Sequence, residues 1–477
     1  MNAQVYINGQ VLGYYPNGYT PFSYDITPYL RNDGMANQLA VFVENQQPSS
    51  RWYSGSGIYR EVKLLITNAV HLGLYGIKIA SPKLKEQRQS WVENQLESKV
   101  SNAETQSVSV YLEQSIWHDG QQVSDWQATD SLVIEAGDKY HFKQAISIFQ
   151  PLLWDIDSPH LYQLKTRLYK NGILVDEEEE TFGYRYMDWQ VDKGFFLNGR
   201  WVKIHGVCLH HDYGALGAVE NRSAAEKRLL ERVKEVDDSR FVTMGMDQFC
   251  FGDGSGGHEK IANLLDVVGF NYSEDNIDGI RKRHPKWRLY GSETSSATRT
   301  RDSYFRPDKE WVGDNRRVRN FEQSDYGNDR VPWGKTATAS WIADRNRLDY
   351  AGQFIWTGVD YIGESTPWHN QNDTPVKSSY FGIVDTAGIP KNDYYFYQSE
   401  WLDLDQHPMV HILPYWNWEI HNSYQQAVDK YGDIPVLWSY FSMENLRVGR
   451  PFRENELQMA ENTKREKVLT NFISNGL

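Results

Sequence analysis

The chain has 477 residues, room for about three or four domains. Its 63 acidic against 50 basic residues leave a formal charge of −13, which argues against nucleic acid and anionic membranes as main partners. No apolar run approaches the roughly 18 residues of a membrane span, and two cysteines, Cys208 and Cys250, are too few for a disulfide framework or a four-ligand metal site. Both are expected to stay reduced. The aromatic share is high, 14% from 17 Trp, 30 Tyr and 19 Phe, and much of it must be core. Some of it stands beside acids and His, as in Trp356-Thr357-Gly358-Val359-Asp360-Tyr361 and Pro367-Trp368-His369. Sugar rings combine apolar C–H faces with a rim of hydroxyls, so this mixture suits carbohydrate. Plain core packing is the alternative.

Met1 to Ile7 reads directly into a strand, without a basic n-region or an apolar h-region. No secretory signal is expected, and location defaults to the cytoplasm. Val5 to Leu12 reads as a hairpin turning at Asn8-Gly9. Leu39–Val43 and Arg60–Ile66 read as further strands. Residues 1–67 thus form a first β domain, with too few strands for a closed sandwich, so that it begins midway. Residues 68–183 read as a second β domain of immunoglobulin-like size. In it Val108–Leu112 and Tyr162–Tyr169 alternate, and Lys170-Asn171-Gly172 supplies a turn. The acidic run Asp176 to Glu180 reads as a solvated strand edge.

Residues 184–402 switch to strands alternating with helices, which implies a parallel α/β layer. The strand-like runs are Val202–Val207, Phe241–Met244, Val267–Asn271, Leu289–Gly291 and Gln353–Trp356. Between the first two, Ser223 and Glu226 form a capping box, and Leu229, Leu230, Val233 and Val236 share a helix face. Five β units result, where a closed (β/α)₈ barrel has eight. Residues 298–350 read as a polar and aromatic insertion with a helix near Ala337–Leu348. Residues 403–477 open with a β segment at Pro408–Pro414 and end in a polar tail.

In Arg288-Leu289-Tyr290-Gly291-Ser292-Glu293-Thr294-Ser295-Ser296 an apolar strand delivers the Glu293 carboxylate to a Gly/Ser/Thr turn. Glycosidases with a nucleophilic carboxylate are built this way, and they need a second carboxylate across the scissile bond.

Arg51-Trp52-Tyr53-Ser54-Gly55-Ser56-Gly57-Ile58-Tyr59-Arg60 closely resembles the sugar-binding-domain signature of glycoside hydrolase family 2. Asn198-Gly199-Arg200 leading to His205–Asp212 is similar to the family's first barrel strand, Tyr290–Glu293 to its nucleophile strand and Ile355–Glu364 to its last strand. The likeness is strongest to the β-galactosidases of the family, in which the run Met409–Trp418 also recurs. The resemblance implies a multidomain β plus α/β chain: a partial jelly-roll sugar-binding domain, an immunoglobulin-like β-sandwich, an incomplete TIM barrel and the start of a C-terminal β domain. It implies retaining hydrolysis of β-galactosides in carbohydrate metabolism, without cofactor or metal. A carbohydrate is the expected partner, and a homo-oligomer stays open. By the same resemblance Glu293 is the nucleophile and Tyr272 hydrogen-bonds it. Trp356 floors the sugar site, His210 contacts the transition state, Asn271 contacts the sugar, and Arg51 reaches in from the first domain. Asp360, with Glu364, orients the loop beside the sugar.

The chain departs from the family pattern where the acid/base belongs. The motif Ser-His-Asn-Pro is absent, and no Asn-Glu pair in residues 213–292 follows an apolar strand, so no acid/base is identified. Ala224–Leu230 resembles the start of the first barrel helix, and Arg232–Thr243 resembles the segment just past the acid/base strand. Strands two to four, and the N-terminal part of the sugar-binding domain, are therefore expected to be missing. His205 and Cys208 stand where Arg and Asn are usual. Without an acid the leaving alkoxide departs unprotonated, a loss of roughly 10²–10⁴-fold. Glu274 is the nearby carboxylate nominated as a stand-in. Ser379-Tyr380-Phe381 lacks the Asn-x-Lys clamp of the family's glucuronidases, which favours a neutral sugar. The alternative readings are a non-catalytic sugar-binding descendant and a gene remnant.

Overall fold

Asn-Gly pairs place several hairpins of the β-rich part. Asn8 (φ +51°) with Gly9 (φ +82°), and Asn171 (φ +48°) with Gly172 (φ +80°), are left-handed at both positions. That is the turn whose twist matches antiparallel strands. The computed structural model describes residues 2–17, 20–44, 62–208, 240–247, 257–304, 311–312, 323–361, 379–403, 406–413 and 438–442. The capping-box helix, the 51–60 signature and the polar tail lie outside them. The chain divides into two compact units. One comprises residues 1–58, 191–194 and 203–477, and the other comprises residues 59–190 and 195–202.

The second unit is a two-sheet β-sandwich. One sheet orders Lys139–Phe149, Trp91–Asn102 and Val70–Ala80. The other orders Ile173–Phe182, Tyr162–Lys170 and Val108–His118. Val92, Leu96 and Val100 alternate inward on one strand, and Val110, Leu112, Leu164 and Leu168 do so from the other sheet. Period-two alternation is what a half-buried strand requires. Gln114 is also buried, and its amide donates to Ser98 Oγ at 3.1 Å and to Thr166 Oγ1 at 2.9 Å. The acidic run lies on Ile173–Phe182, the strand at the end of its sheet.

In the first unit, residues 3–43 give a three-stranded antiparallel sheet ordered Gln10–Tyr15, Ala3–Ile7, Leu39–Val43. The strand expected at Arg60–Ile66 does not form over residues 62–66, where Val62, Leu64 and Ile66 stand exposed. No partner strand pairs there among the described residues, and an unpaired apolar run has no ladder to hold it extended.

The rest of this unit is built on a five-stranded parallel sheet. Its order is Ile204–Val207, Tyr350–Trp356, Leu289–Ser295, Val267–Asn271, Thr243–Met246. These are the five strands expected from the sequence. On one face Met246, Val268, Phe270 and Leu289 pack with Ile277 and Ile280 of the helix Ile277–Arg283. The other face is lined by small residues. A Cβ on Gly206 would sit 2.2 Å from the Phe354 ring, and one on Gly269 would sit 2.8 Å from the Tyr290 ring. The glycines therefore make room for Tyr290 and Phe354, whose rings meet edge to face at 5.9 Å.

Two buried charge systems tie this sheet to its surroundings. Lys203 Nζ donates to the carbonyls of Asp344 (2.9 Å), Arg347 (2.9 Å) and Tyr350 (2.8 Å), and pairs with the Asp344 carboxylate. It thereby caps the carbonyl end of the helix Ala337–Arg345 and clips the residue before Ile204–Val207 to the start of Tyr350–Trp356. In the second system, Arg299 pairs with Asp393 at 2.7 Å and Lys391 with Asp360 at 2.5 Å, all four buried. Burial pushes the neighbouring Asp325 carboxyl up, opposed by the charge of Lys391.

Candidate active site

The carboxyl ends of the parallel strands gather the reactive groups. The register pairs Met246 with Phe270, Asn271 with Glu293 and Ser295 with Trp356. Ser295 and Trp356 therefore sit at one level on neighbouring strands, as Glu293 and Asn271 do. Tyr272 follows Asn271 with a left-handed backbone (φ +50°). Its N–H donates to the Glu293 carbonyl at 2.7 Å, and its hydroxyl donates to Glu293 Oε2 at 2.9 Å. Asn271 also hydrogen-bonds the Glu293 carboxylate, while its Oδ1 accepts from Ser292 Oγ at 2.7 Å. Ser295 and Ser296 carry the chain away from Glu293 in left-handed conformations, φ +66° each. Such backbone costs a non-glycine residue about 1–2 kcal/mol, and strain of this kind concentrates at functional sites.

Burial raises Glu293 to about 7, with the charge of Asp247 adding to the rise and the bonds from Tyr272 and Asn271 opposing it. The Tyr272 phenol is pushed up by burial first and then by Glu293, so it stays a donor. Cys208 Sγ donates to the Ser292 carbonyl at 3.3 Å, and burial together with Glu293 holds its thiol protonated. Thr357 Oγ1 donates to the Cys208 carbonyl, and the Trp356–Thr357 peptide is cis. Trp356 packs with Tyr361, Phe381 and Val331, and Tyr272 and Cys208 border the same cluster.

Asp360 is buried, and both its oxygens are engaged. Oδ1 accepts from Gly382 N at 2.7 Å and from Ser379 Oγ at 3.4 Å, and Oδ2 accepts from Lys391. These bonds hold the Trp356–Tyr361 loop against 379–382. Glu274, nominated as a stand-in acid, is buried behind the turn. Its Oε1 accepts from Ser295 N and from Ser340 Oγ, both at 2.8 Å, so it holds the backbone that follows Glu293. His205 is exposed at its strand position, although its ring stacks on Trp401 at 5.1 Å and meets Trp341 edge on at 5.2 Å. Arg51, His210 and Glu364 lie outside the described residues.

Sequence reasoning passed over Asp247. It expected a strand at Phe241–Met244, whereas the strand runs Thr243–Met246. The two-residue shift moves the strand's carboxyl end to Asp247, an exposed acid whose charge is felt at Glu293. No group of three or more His, Cys, Asp or Glu among the described residues is arranged to hold a metal ion. No helix among them is long and apolar enough to cross a membrane.

The model of the family Glycosyl hydrolases family 2 matches residues 78–185. Beta-galactosidase BoGH2A of Bacteroides ovatus is 31% identical across 88% of this chain, which spans 63% of that protein's length. A beta-glucuronidase of Bacteroides fragilis is 28% identical across 45% of the chain and 32% of its own length. Among solved structures, a beta-glycosidase from Bacteroides vulgatus matches 93% of this chain and 67% of its own, at 25% identity and a TM-score of 0.68.

Proposed function

The chain belongs to glycoside hydrolase family 2, and we propose that it attacks β-galactosides with retention, using Glu293 as the nucleophile. One observation carries this reading. A carboxylate at the end of a parallel strand accepts the hydroxyl of Tyr272 at 2.9 Å, and the aromatic cluster of Trp356 borders that tyrosine. As nucleophile the Glu293 carboxylate would displace the aglycone and form a glycosyl-enzyme that water then hydrolyses. Tyr272 would orient the carboxylate, Asn271 would hold it and meet the sugar, and Trp356 would floor the glycone. Asp360 would fix the loop that carries Trp356. His210 and Arg51 keep the roles implied by resemblance, as transition-state and sugar contacts.

A neutral sugar is favoured over a glucuronide. Ser379 and Phe381 are fully buried, and the cations described beside them are engaged: Arg299 donates to the Phe381 carbonyl at 3.2 Å and pairs with Asp393, and Lys391 is held by Asp360. The relatives bear both names: the β-galactosidase is 31% identical across 88% of the chain, and a putative beta-glucuronidase of Formosa agariphila is 26% identical across 94%. The finer architecture we propose is a partial jelly-roll over residues 1–67, an immunoglobulin-like sandwich over 68–183, a shortened (β/α) barrel over 184–402, and the beginning of a further β domain from 403.

The test is mass spectrometry after incubation with 2,4-dinitrophenyl 2-deoxy-2-fluoro-β-galactoside. The fluorine slows breakdown of the glycosyl-enzyme, and the leaving group needs no acid. A mass gain on the Glu293 peptide, absent in Glu293→Gln, is expected. A folded, monodisperse sample that gains no mass would leave the second reading, a weak sugar binder without chemistry.

A further inference from the structure

The nucleophile proposed above needs a partner carboxylate, and resemblance supplies none. We propose that Asp247 is that partner, acting as general acid and then general base opposite Glu293; this rests on the nucleophile reading of Glu293.

The argument is geometric. Thr243–Met246 pairs in parallel with Val267–Asn271, with Met246 opposite Phe270. Asn271 in turn lies opposite Glu293. Asp247, one step past Met246, therefore ends the same row: Asp247, Asn271, Glu293. Two strand spacings separate the first and last backbones by roughly 10 Å. The face follows from Gly245. A Cβ there would lie 3.1 Å from Asn271 Oδ1 and 3.1 Å from Ser292 Oγ, so residue 245 looks onto the small-residue face beside Glu293. Side chains alternate along a strand, which gives Asp247 the same face two residues on. Two carboxylates leaning together from that spacing approach the roughly 5–5.5 Å of a retaining pair.

Glu293 is partly buried and held by Tyr272 and Asn271, as an oriented nucleophile must be. Asp247 is exposed, so the attacking water can reach it. Thr243–Met246 ends the sheet among the described residues. Among the described residues, two other acids near the site are engaged elsewhere: Glu274 with Ser295 and Ser340, and Asp360 with Lys391 and Gly382.

In the first step the Glu293 carboxylate forms a bond to the anomeric carbon as the carbon–aglycone bond breaks. The Asp247 carboxyl gives its proton to the departing oxygen. In the second step water attacks the anomeric carbon, its proton passes to the Asp247 carboxylate, and the bond to Glu293 breaks. The sum is glycoside plus water to sugar plus alcohol, with both carboxyls returned.

Asp247→Ala and Asp247→Asn test this in the full chain, with 2,4-dinitrophenyl β-galactoside as substrate. Glu293 should still be labelled by the fluorinated reagent in both variants. Turnover should fall by about 10²–10⁴-fold, and azide should restore it in Asp247→Ala with release of β-galactosyl azide, since the anion needs no base and fits the vacated space. Wild-type rates in the variants, or a loss that azide leaves unchanged, would overturn the assignment. So would a wild-type chain that forms the adduct but never turns over. If the wild type takes no label on Glu293, it is the nucleophile reading that fails.

Discussion

Glu293 retains its proton to about pH 7 because burial outweighs the bonds from Tyr272 and Asn271. A nucleophile must be ionised, so the rate of labelling by the fluorinated reagent should climb as pH rises from 5 to 8, with its midpoint near 7. Tyr272 donates to the carboxylate, and its removal favours the protonated form. Tyr272→Phe should move that midpoint to higher pH and slow labelling at pH 7 by about 10-fold. An unshifted midpoint would deny Tyr272 its orienting role. The same elevation carries a stability cost. The folded state binds the proton more tightly than the unfolded chain, so this contribution is fully present below about 4.5 and is lost as pH rises through about 7. Glu293→Gln should therefore stabilise the protein at pH 8 by about 1–3 kcal/mol and change little at pH 4, as read from urea unfolding. Glu274 separates shape from charge. Glu274→Gln keeps an acceptor for Ser295 N–H and should be tolerated, whereas Glu274→Ala leaves that buried donor unpaired and should cost about 1–3 kcal/mol.

At the scale of elements, the parallel sheet was legible because buried parallel strands are continuous apolar runs. Val267–Asn271 is buried at every position and was found to the residue. The edge strand was misplaced by two residues because Phe241 and Val242 read as strand, while pairing begins only at Thr243. That slip hid Asp247. Glu293 was legible from the strand-to-turn run around it; its bond to Tyr272 came through resemblance, and the occupied state of Glu274 and Asp360 came from three-dimensional contacts that no local pattern encodes. Lys203 is a further case: nothing in Trp201-Val202-Lys203-Ile204 announces a buried ammonium that grips residues 344–350. Lys203→Met would strand the Asp344 carboxylate and three carbonyls, and should cost about 3–5 kcal/mol in urea unfolding.

For the whole molecule, the sequence separated β sandwich from α/β layer because period-two alternation gives way to apolar runs spaced by helical patterns. The run at 62–66 misled because apolar alternation states a preference for extension but says nothing about a partner strand. The clip at Lys203 also gives the molecule an internal chemical clock. Its side chain is 7% exposed and that of Lys391 is 2% exposed, against 57% for Lys85. An acylating reagent offered to the native protein should modify Lys85 first and leave Lys203 and Lys391 unreacted. In mild urea, the moment at which Lys203 becomes acylated dates the parting of the first parallel strand from the last, residue by residue and without any assay of sugar chemistry.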